Sequence, residues 1–405
     1  MTVVSEKFDV LIVGAGPAGS FAAEKLARGG VRVGLFDGRP AGEAKACGGG
    51  VTSKALKAWP FLLEAGGRAV TEVEMVSPSG EGVRLKLAEP FAIYSRCAFD
   101  SYLRERARGA GAEIFECRVT ASAGRDAKGR WAVRARDGRV WEGGVLAAAD
   151  GANSAIARRL AGPLANSDME VAFGYRTPLD EGEEAPTVIA FLPRWAGYAW
   201  AFPRLDHISF GIATAQDAFD HKALERMLWD FMVGYYRARE EGAKAWARRD
   251  DDAREREVEE RLRAIAGRYA ARIPGLAPET FDRRRAAGEG WALLGDAAGF
   301  ADPVTGEGIY YALRSGELFA EAFLAGDVKS YEGLWRADFG GELRRASKMR
   351  RRFYGDFWGG PFTDRMIKLA RAHPGIRRTL RELVAGDQGY LGLKRTLARR
   401  ALNPF

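Results

Sequence analysis

The stretch Gly14-Ala15-Gly16-Pro17-Ala18-Gly19 limits what this chain can fold into more than any other. It follows Phe8-Asp9-Val10-Leu11-Ile12-Val13, an apolar run that reads as a buried strand. Ser20 to Arg28 then show helical spacing, Gly29-Gly30 end the helix, and Val31 to Phe36 form a second strand closed by Asp37. Strand, glycine turn, helix, strand and acid in this order make a dinucleotide-binding unit. The glycines allow a tight turn, close approach of backbone to a pyrophosphate, and close packing of helix on strand. The pyrophosphate sits at the helix N-terminus, where free N–H groups and the dipole favour an anion. Asp37 is placed to accept from a ribose hydroxyl. The turn names neither the dinucleotide nor the chemistry.

A chain of 405 residues with 47% hydrophobic content holds two or three packed units. It has no apolar run of about 18 residues, so no transmembrane helix is expected. No basic segment followed by an apolar one opens the chain, so no signal peptide is expected. Three cysteines (Cys47, Cys97, Cys117) without a CxxC make no disulfide framework and suit a reducing cytoplasm. His207, His221 and His373 are scattered, and no metal site is expected. The net charge of +8 favours anionic partners such as lipid head groups or phosphorylated substrates. A soluble protein merely rich in arginine has the same composition.

Beyond Asp37 a loop runs from Gly38 to Lys45, then Cys47-Gly48-Gly49-Gly50-Val51. Alternation at Val73, Met75, Val83, Leu85 and Leu87 predicts antiparallel strands over 70–94 that leave the nucleotide domain. Arg96 opens a helix with Phe99, Leu103 and Ala107 on one face. Residues 113–120, 131–136 and 139–142 read as a three-strand meander, with Asp137-Gly138 as a hairpin turn. Val145 to Ala149 read as a short strand ending in Asp150-Gly151, before a helix that Asp150 itself is able to cap. Residues 168–214 form a second, aromatic-rich sheet, and 219–270 are helical. The charged part from Arg237 to Arg263 reads as a solvated excursion. Trp291 to Leu294 return as a strand, a helix spans 306–325, and the last 80 residues are helical and basic.

The fold class is therefore α/β: a Rossmann-type domain interleaved with a β-sheet (α+β) substrate domain, plus a helical C-terminal region. The expected boundaries are 1–165, 166–285, 286–330 and 331–405, with strands 70–94 contributing to the substrate domain.

A second motif, Gly295-Asp296-Ala297-Ala298-Gly299, continues through Asp302-Pro303-Val304-Thr305-Gly306-Glu307-Gly308-Ile309. Asp296 stands at a strand end, where it can accept from a polyol, and Gly306 and Gly308 let backbone N–H groups reach a ring. A reduced flavin gains negative charge near N1 and its C2 carbonyl, which a helix N-terminus stabilises. Gly14-x-Gly16-x-x-Gly19, Asp150-Gly151 and Gly295-Asp296, in this order, resemble the FAD enzymes of the para-hydroxybenzoate hydroxylase superfamily. Cys47-Gly48-Gly49-Gly50 is similar to the Cys-Gly-rich loop of the geranylgeranyl reductase family within it. Tyr198-Ala199-Trp200-Ala201-Phe202-Pro203 with Gly211-Ile212-Ala213 resembles that family's YxWxFP…GxG lipid-binding motif, with Ala213 in place of the last glycine. The resemblance covers residues 8–325, and the final 80 carry no transferable motif.

The resemblance implies an FAD site formed by Gly14, Gly16, Pro17, Ala18, Gly19, Asp37, Gly38, Cys47, Gly48, Gly49, Gly50, Val51, Arg96, Val119, Asp150, Gly151, Gly295, Asp296, Ala297, Pro303, Gly306, Glu307, Gly308 and Ile309. Cys47, Gly48, Gly49, Tyr198 and Trp200 are the expected catalytic set, and Tyr198, Trp200, Phe202 and Pro203 the expected substrate contacts. Cys47 is either a thiol near the flavin or a small apolar filler. Tyr198, Trp200 and Phe202 alternate onto one strand face, which suits a tunnel for an apolar chain or a plain core.

The implied activity is FAD-dependent saturation of C=C bonds in a geranylgeranyl or polyprenyl chain carried by a lipid, diphosphate or quinone. Electrons would come from NADPH or a ferredoxin-like donor. The alternative is an FAD-dependent monooxygenase acting on an aromatic or polyketide-like molecule, and a non-catalytic electron relay is more remote. A halogenase would carry a WxWxIP motif and a supported lysine after the first loop; neither is present, and Lys86 lies in a β-like stretch. Residues 390–405 read as a basic amphipathic helix, either docked on the protein or laid on an anionic membrane. The chain is expected to be a cytoplasmic monomer without nucleic-acid partners, in peripheral contact with the inner membrane face through that helix.

Overall fold

A computed structural model of the chain describes residues 6–402 apart from 40–44, 122–124, 127, 194, 216–219, 242–251 and 357–359. The chain divides into two units. The first is Met1–Lys45, Arg96–Met169 and Ile273–Ser347; the second is Ala46–Ser95, Glu170–Arg272 and Lys348–Phe405. Segment 46–95 belongs wholly to the second unit because the short strand Gly50–Val51 pairs with Gly82–Ile93 (Gly50↔Ile93).

The first unit is built on the apolar strand Glu6–Val13. Val33–Phe36 lies parallel on one side of it (Val13↔Phe36) and Val140–Ala148 parallel on the other (Val13↔Ala148). Trp291–Leu293 extends the ladder beyond Val140–Ala148 (Leu293↔Ala148), and Glu113–Phe115 extends it beyond Val33–Phe36. Val10, Leu11, Ile12, Leu35, Leu146 and Ala147 are fully buried, as strands covered on both faces require.

The helix Pro17–Arg28 packs on this sheet and against Ile309–Leu324, where Gly316 stands so close that a Cβ would lie 2.6 Å from the Ala18 carbonyl. Lys25 pairs with Glu317 at 2.8 Å, and the buried Glu24 accepts from Arg106 of the helix Arg96–Gly109 at 2.6 and 3.0 Å. Phe99, Leu103 and Ala107 form the buried face of that third helix, as their spacing predicts.

The expected antiparallel meander forms from Val119–Ala121, Trp131–Ala135 and Val140–Ala148, with two departures at its ends. Glu113–Phe115 joins the parallel ladder, Val119–Ala121 pairs with Trp131–Ala135, and Val140–Ala148 is one continuous nine-residue strand. Gly143-Gly144 reads as a break, yet a Cβ on Gly143 would meet the Leu11 side chain at 2.6 Å. Its glycine is there for close strand packing rather than a turn.

The second unit holds a mixed sheet in the order 267–274, 169–178, 207–215, 197–203, 187–191, 68–76, 82–93, 50–51. The helices His221–Glu241 and Asp252–Ile265 cover one face through Leu228, Met232, Tyr235, Val258 and Leu262. Arg237, expected in a solvated stretch, is instead buried and ion-paired with Glu255, and 242–251 lie outside the described residues. The helices Phe362–Ala372 and Pro374–Ala385 cover the far end of the sheet with Met366, Ile367, Ala370 and Leu380. Residues 267–270, read as the end of the helical stretch, belong instead to the edge strand Gly267–Pro274.

The aromatic cluster under the first sheet sets a stability test. Phe36 is fully buried, stacks on Phe115 at 5.0 Å and meets Trp141 edge-on at 5.0 Å. Phe36→Ala should lower stability by about 3–5 kcal/mol in urea unfolding followed by tryptophan fluorescence.

Candidate functional site

The parallel register fixes where the first unit carries its chemistry. Val13, Phe36, Ala148 and Leu293 are aligned neighbours, so Gly14, Asp37, Ala149-Asp150 and Leu294-Gly295-Asp296 all leave the sheet at its carboxyl edge. This edge is where open parallel sheets hold ligands.

The glycine turn is explained position by position. Gly14 has φ 106°, and a Cβ there would lie 2.3 Å from the Ala149 carbonyl. A Cβ on Gly19 would lie 1.9 Å from the Gly14 carbonyl. Gly16 differs: it caps the helix at φ −79°, and a Cβ there would meet nothing within 4 Å. The N–H groups of Ala15, Gly16, Ala18 and Gly19 have no backbone acceptor among the described residues. Pro17, at the first helical turn, has no N–H to satisfy. Free N–H groups around an open space at a helix N-terminus fit a pyrophosphate.

Asp37 is 5% exposed; its Oδ1 accepts from the Arg39 N–H at 3.0 Å and its Oδ2 pairs with the Arg39 guanidinium at 3.3 Å. Arg104 Nη1 stands 4.0 Å from the same carboxylate, buried and without a hydrogen-bond acceptor among the described residues. Arg96 is buried and binds Asp100 in a fork (2.9, 2.7 and 2.9 Å), and Asp100 also pairs with Arg39 at 3.6 Å. The Lys45 ammonium is pushed below its usual range, first by Arg96, then by burial and by Arg39, against the pull of Asp296 and Asp100. Gly38 has no room for a side chain, since a Cβ would lie 2.8 Å from that of Arg118; Val119 opens the strand Val119–Ala121.

Asp150 is not the helix cap. Ser154 caps Ala155–Ala161, its Oγ accepting from the Ala157 N–H at 2.8 Å. The Asp150 carboxyl is pushed above the usual range by loss of surrounding water, while hydrogen bonds from Ser154 and the Ala155 N–H pull it down. Its neighbour Gly151 has φ 83° and open space beside it.

Gly295 and Ala297 lie in a buried turn with Asp296, and the Gly295 N–H donates to Ser315 Oγ at 3.0 Å. Helix Ile309–Leu324 starts three residues later than expected, with Gly308 as its cap and no capping side chain. The Asp296 carboxylate lies against Gly308, 3.2 Å from where a Cβ would stand. The intervening loop is held by Asp302, which the sequence reading passed over. Its Oδ1 accepts from Val304 and Thr305 at 2.7 and 3.2 Å, and its N–H donates to the Glu307 carbonyl at 2.8 Å. Pro303, Gly306 and Glu307 are thereby set in one turn, with Gly306 at φ 69°. An Asp directly before Pro in a glycine-rich turn was the available signal. The basic residue two places after Asp37 was the signal for Arg39.

The remaining predicted residues lie in the second unit. Tyr198, Trp200 and Phe202 do share one face, with ring centroids 5.8 and 6.3 Å apart along the strand. Trp200 is 5% exposed and lies over Gly211, its cross-strand partner, where a Cβ would be 2.1 Å from the indole. Its Nε1 is buried without an acceptor among the described residues. Tyr198 and Phe202 are half-buried against the cluster of Val73, Leu85 and Phe91, while Pro203 is buried. Gly48 and Gly50 lie under the Phe202 ring, at 3.1 and 3.5 Å from their would-be Cβ positions, and Val51 is buried in the short edge strand. The Cys47 Sγ accepts from the Gly49 N–H at 3.3 Å.

A family model described as an FAD binding domain matches residues 7–176. The chain is 30% identical over 345 residues to the chloroplastic geranylgeranyl diphosphate reductase of Oryza sativa subsp. japonica, covering 79% of this chain and 67% of that protein. It is 30% identical over 350 residues to the geranylgeranyl diphosphate reductase of Rhodobacter capsulatus, covering 79% and 75%. A geranylgeranyl bacteriochlorophyll reductase-like protein of Thermoplasma acidophilum has the same fold, with TM-score 0.71 and 22% identity over 98% of this chain and 99% of that one. The open space at Gly16 makes Gly16→Ala a clean probe: stability should change by less than about 0.5 kcal/mol, while FAD affinity, read by quenching of flavin fluorescence, should fall about tenfold. With relatives matched over this much of their length, the fold and its carboxyl-edge site have an owner: the chain belongs to the geranylgeranyl reductase family of FAD-dependent oxidoreductases.

Proposed function

We propose that this flavoprotein saturates carbon–carbon double bonds of a geranylgeranyl or longer polyprenyl chain. The observation that carries the reading is the half-buried pair Tyr198 and Phe202, flanking the buried Trp200 on one strand face. Two aromatic surfaces spaced along a strand offer an apolar chain several contacts and no charge. The names of the plant and bacterial relatives support the same substrate class.

In this reading the carboxyl edge of the first unit binds FAD. Gly16, Ala18 and Gly19 hold the pyrophosphate, Asp37 the adenosine ribose, and Asp296 the ribityl chain. Gly308 and Ile309 present backbone N–H groups at the start of their helix, the N–H groups of Gly306 and Glu307 being held within the loop by the Asp302 carbonyl and Thr305 Oγ1, and Arg96, Val119, Asp150 and Gly151 complete the binding set. Cys47 to Val51 belong to the cofactor set by their sequence pattern. When bound, reduced FAD would supply the hydride for one alkene carbon, with the proton for the other drawn from water. Tyr198 and Phe202 align the chain, since an unactivated alkene reacts only when held near attack distance. NADPH or a ferredoxin-like protein reduces the cofactor.

The test is anaerobic incubation with dithionite and a geranylgeranyl lipid, read by mass spectrometry. A gain of two hydrogens per reduced double bond is expected. Oxygen consumption with NADPH coupled to a hydroxylated product would establish a monooxygenase instead.

We also infer that the helix Leu393–Leu402 touches an anionic membrane. Lys394, Arg395 and Arg399 are exposed, and Leu391 just before them is an exposed large apolar side chain. Arg400 is turned inward to Glu382 at 2.8 Å, and Leu393 is buried, so the helix is also docked on its own unit. Among the described residues no helix is long and apolar enough to cross a membrane. Reversing Lys394, Arg395 and Arg399 to Glu should abolish co-sedimentation with phosphatidylglycerol vesicles. Undiminished binding would leave the helix a purely internal element.

A further inference from the structure

Arg204 follows the aromatic strand directly, and no function above uses it. It is 3% exposed. Its Nη2 donates to the Cys47 carbonyl at 2.6 Å and to the Gly48 carbonyl at 3.2 Å. Its own backbone is fixed at both ends: the N–H donates to the His207 carbonyl at 2.8 Å, and the carbonyl accepts from Arg68 Nη1 at 3.3 Å. The guanidinium therefore projects from a rigid turn between two paired strands onto two successive carbonyls of the glycine loop.

That loop needs such a hold. Three consecutive glycines lose more conformational entropy on ordering than any other residues would. Gly49 sits at φ 82°, where a Cβ would lie 2.3 Å from the Tyr94 carbonyl and 3.0 Å from Arg204 Nη2. The Tyr94 N–H donates to the Gly49 carbonyl at 2.9 Å, and the Gly49 N–H reaches Cys47 Sγ. Phe202 covers Gly48 and Gly50. Of these restraints, the Arg204 contact is the charged one, and charge-assisted bonds are about twice as strong as neutral ones. Both bonds come from the one nitrogen Nη2, and a lysine would bring the charge to the same carbonyls on a more flexible stem.

We infer that Arg204 is a positioning residue that holds the Cys47–Gly50 loop in its working shape. The clamp rests on contacts within the second unit alone; its consequence for turnover rests on the reductase reading. Arg204 touches neither substrate nor cofactor in this role and acts through the loop carbonyls.

The test compares Arg204→Met and Arg204→Lys with the wild type as full-length, FAD-loaded protein. Iodoacetamide labelling is followed peptide by peptide, with Cys97 and Cys117, both also partly buried, as internal references. In Arg204→Met, Cys47 labelling should accelerate about tenfold relative to both references, the order of one lost charge-assisted hydrogen bond. Arg204→Lys should fall between. Equal acceleration at all three cysteines means general loosening and overturns the clamp, as does an unchanged Cys47 rate. In lipid reduction under dithionite, kcat should fall about tenfold in Arg204→Met with KM within twofold. Faster Cys47 labelling with unchanged kcat overturns the positioning role. If the wild type yields no saturated lipid, the reductase reading fails, and the labelling ratio alone decides whether Arg204 holds the loop.

Discussion

The in-register ladder through Glu6–Val13 is the constraint from which the rest of the first unit follows. Five of its eight residues, Phe8 and Val10 to Val13, are buried, so their backbone must be paired on both sides, and both partners run parallel. Parallel strands in register end together. Val13, Phe36, Ala148 and Leu293 therefore release four loops at one edge, although the four segments are far apart in sequence. The glycines at 14 and 19 are consequences of that packing, because carbonyls at 2.3 and 1.9 Å leave no room for a side chain. Gly16 has no packing partner, and its openness is the part of the turn free to meet a ligand.

The edge is also tied together electrically. From Asp37 a chain of contacts runs through Arg39 to Asp100 and on to Arg96, at 3.3, 3.6 and 2.7 Å. Arg96 and Asp100 are both buried and forked, so removing either would break a buried ion pair. Lys45 joins the same group, and repulsion from Arg96 holds its ammonium down. An anion brought among these cations weakens that repulsion and draws the Lys45 ammonium back toward its usual range. A site of this composition is better satisfied with a diphosphate than without one, in line with the FAD role proposed for it.

Legibility in the sequence followed the range of the interactions. Gly19 of the glycine turn, the helix face of Phe99, Leu103 and Ala107, and the alternation of Tyr198, Trp200 and Phe202 were readable because each depends on neighbours a few residues away. The last strand of the meander runs on past residue 142 to Ala148 because Gly143 answers to Leu11, a residue on another strand, and nothing local marks that. Asp150 looked like a cap because caps are acidic or hydroxylated residues before a helix, and Ser154 was the nearer claimant. Arg237 looked solvated because its neighbours are charged, while its partner Glu255 is supplied by a different helix. For Gly143 and Arg237 the missing information was the identity of a partner on another element.

Arg204 extends that lesson to the aromatic motif. Read as a string, Tyr198 to Pro203 suggests three equivalent aromatic contacts for an apolar chain. In the fold the three are unequal. Trp200 is wedged over Gly211 with its indole nitrogen buried, and Phe202 lies across Gly48 and Gly50. The next residue but one then reaches back to the carbonyls of Cys47 and Gly48. The strand is thus as much a template for the glycine loop as a surface for a substrate. The two motifs, about 150 residues apart in sequence, are two sides of one packed arrangement. A glycine loop specified only by its own residues would have many conformations of similar energy. Phe202 above it and Arg204 beside it leave one, and the spacing that places both on the same strand end makes the two stretches a single structural unit.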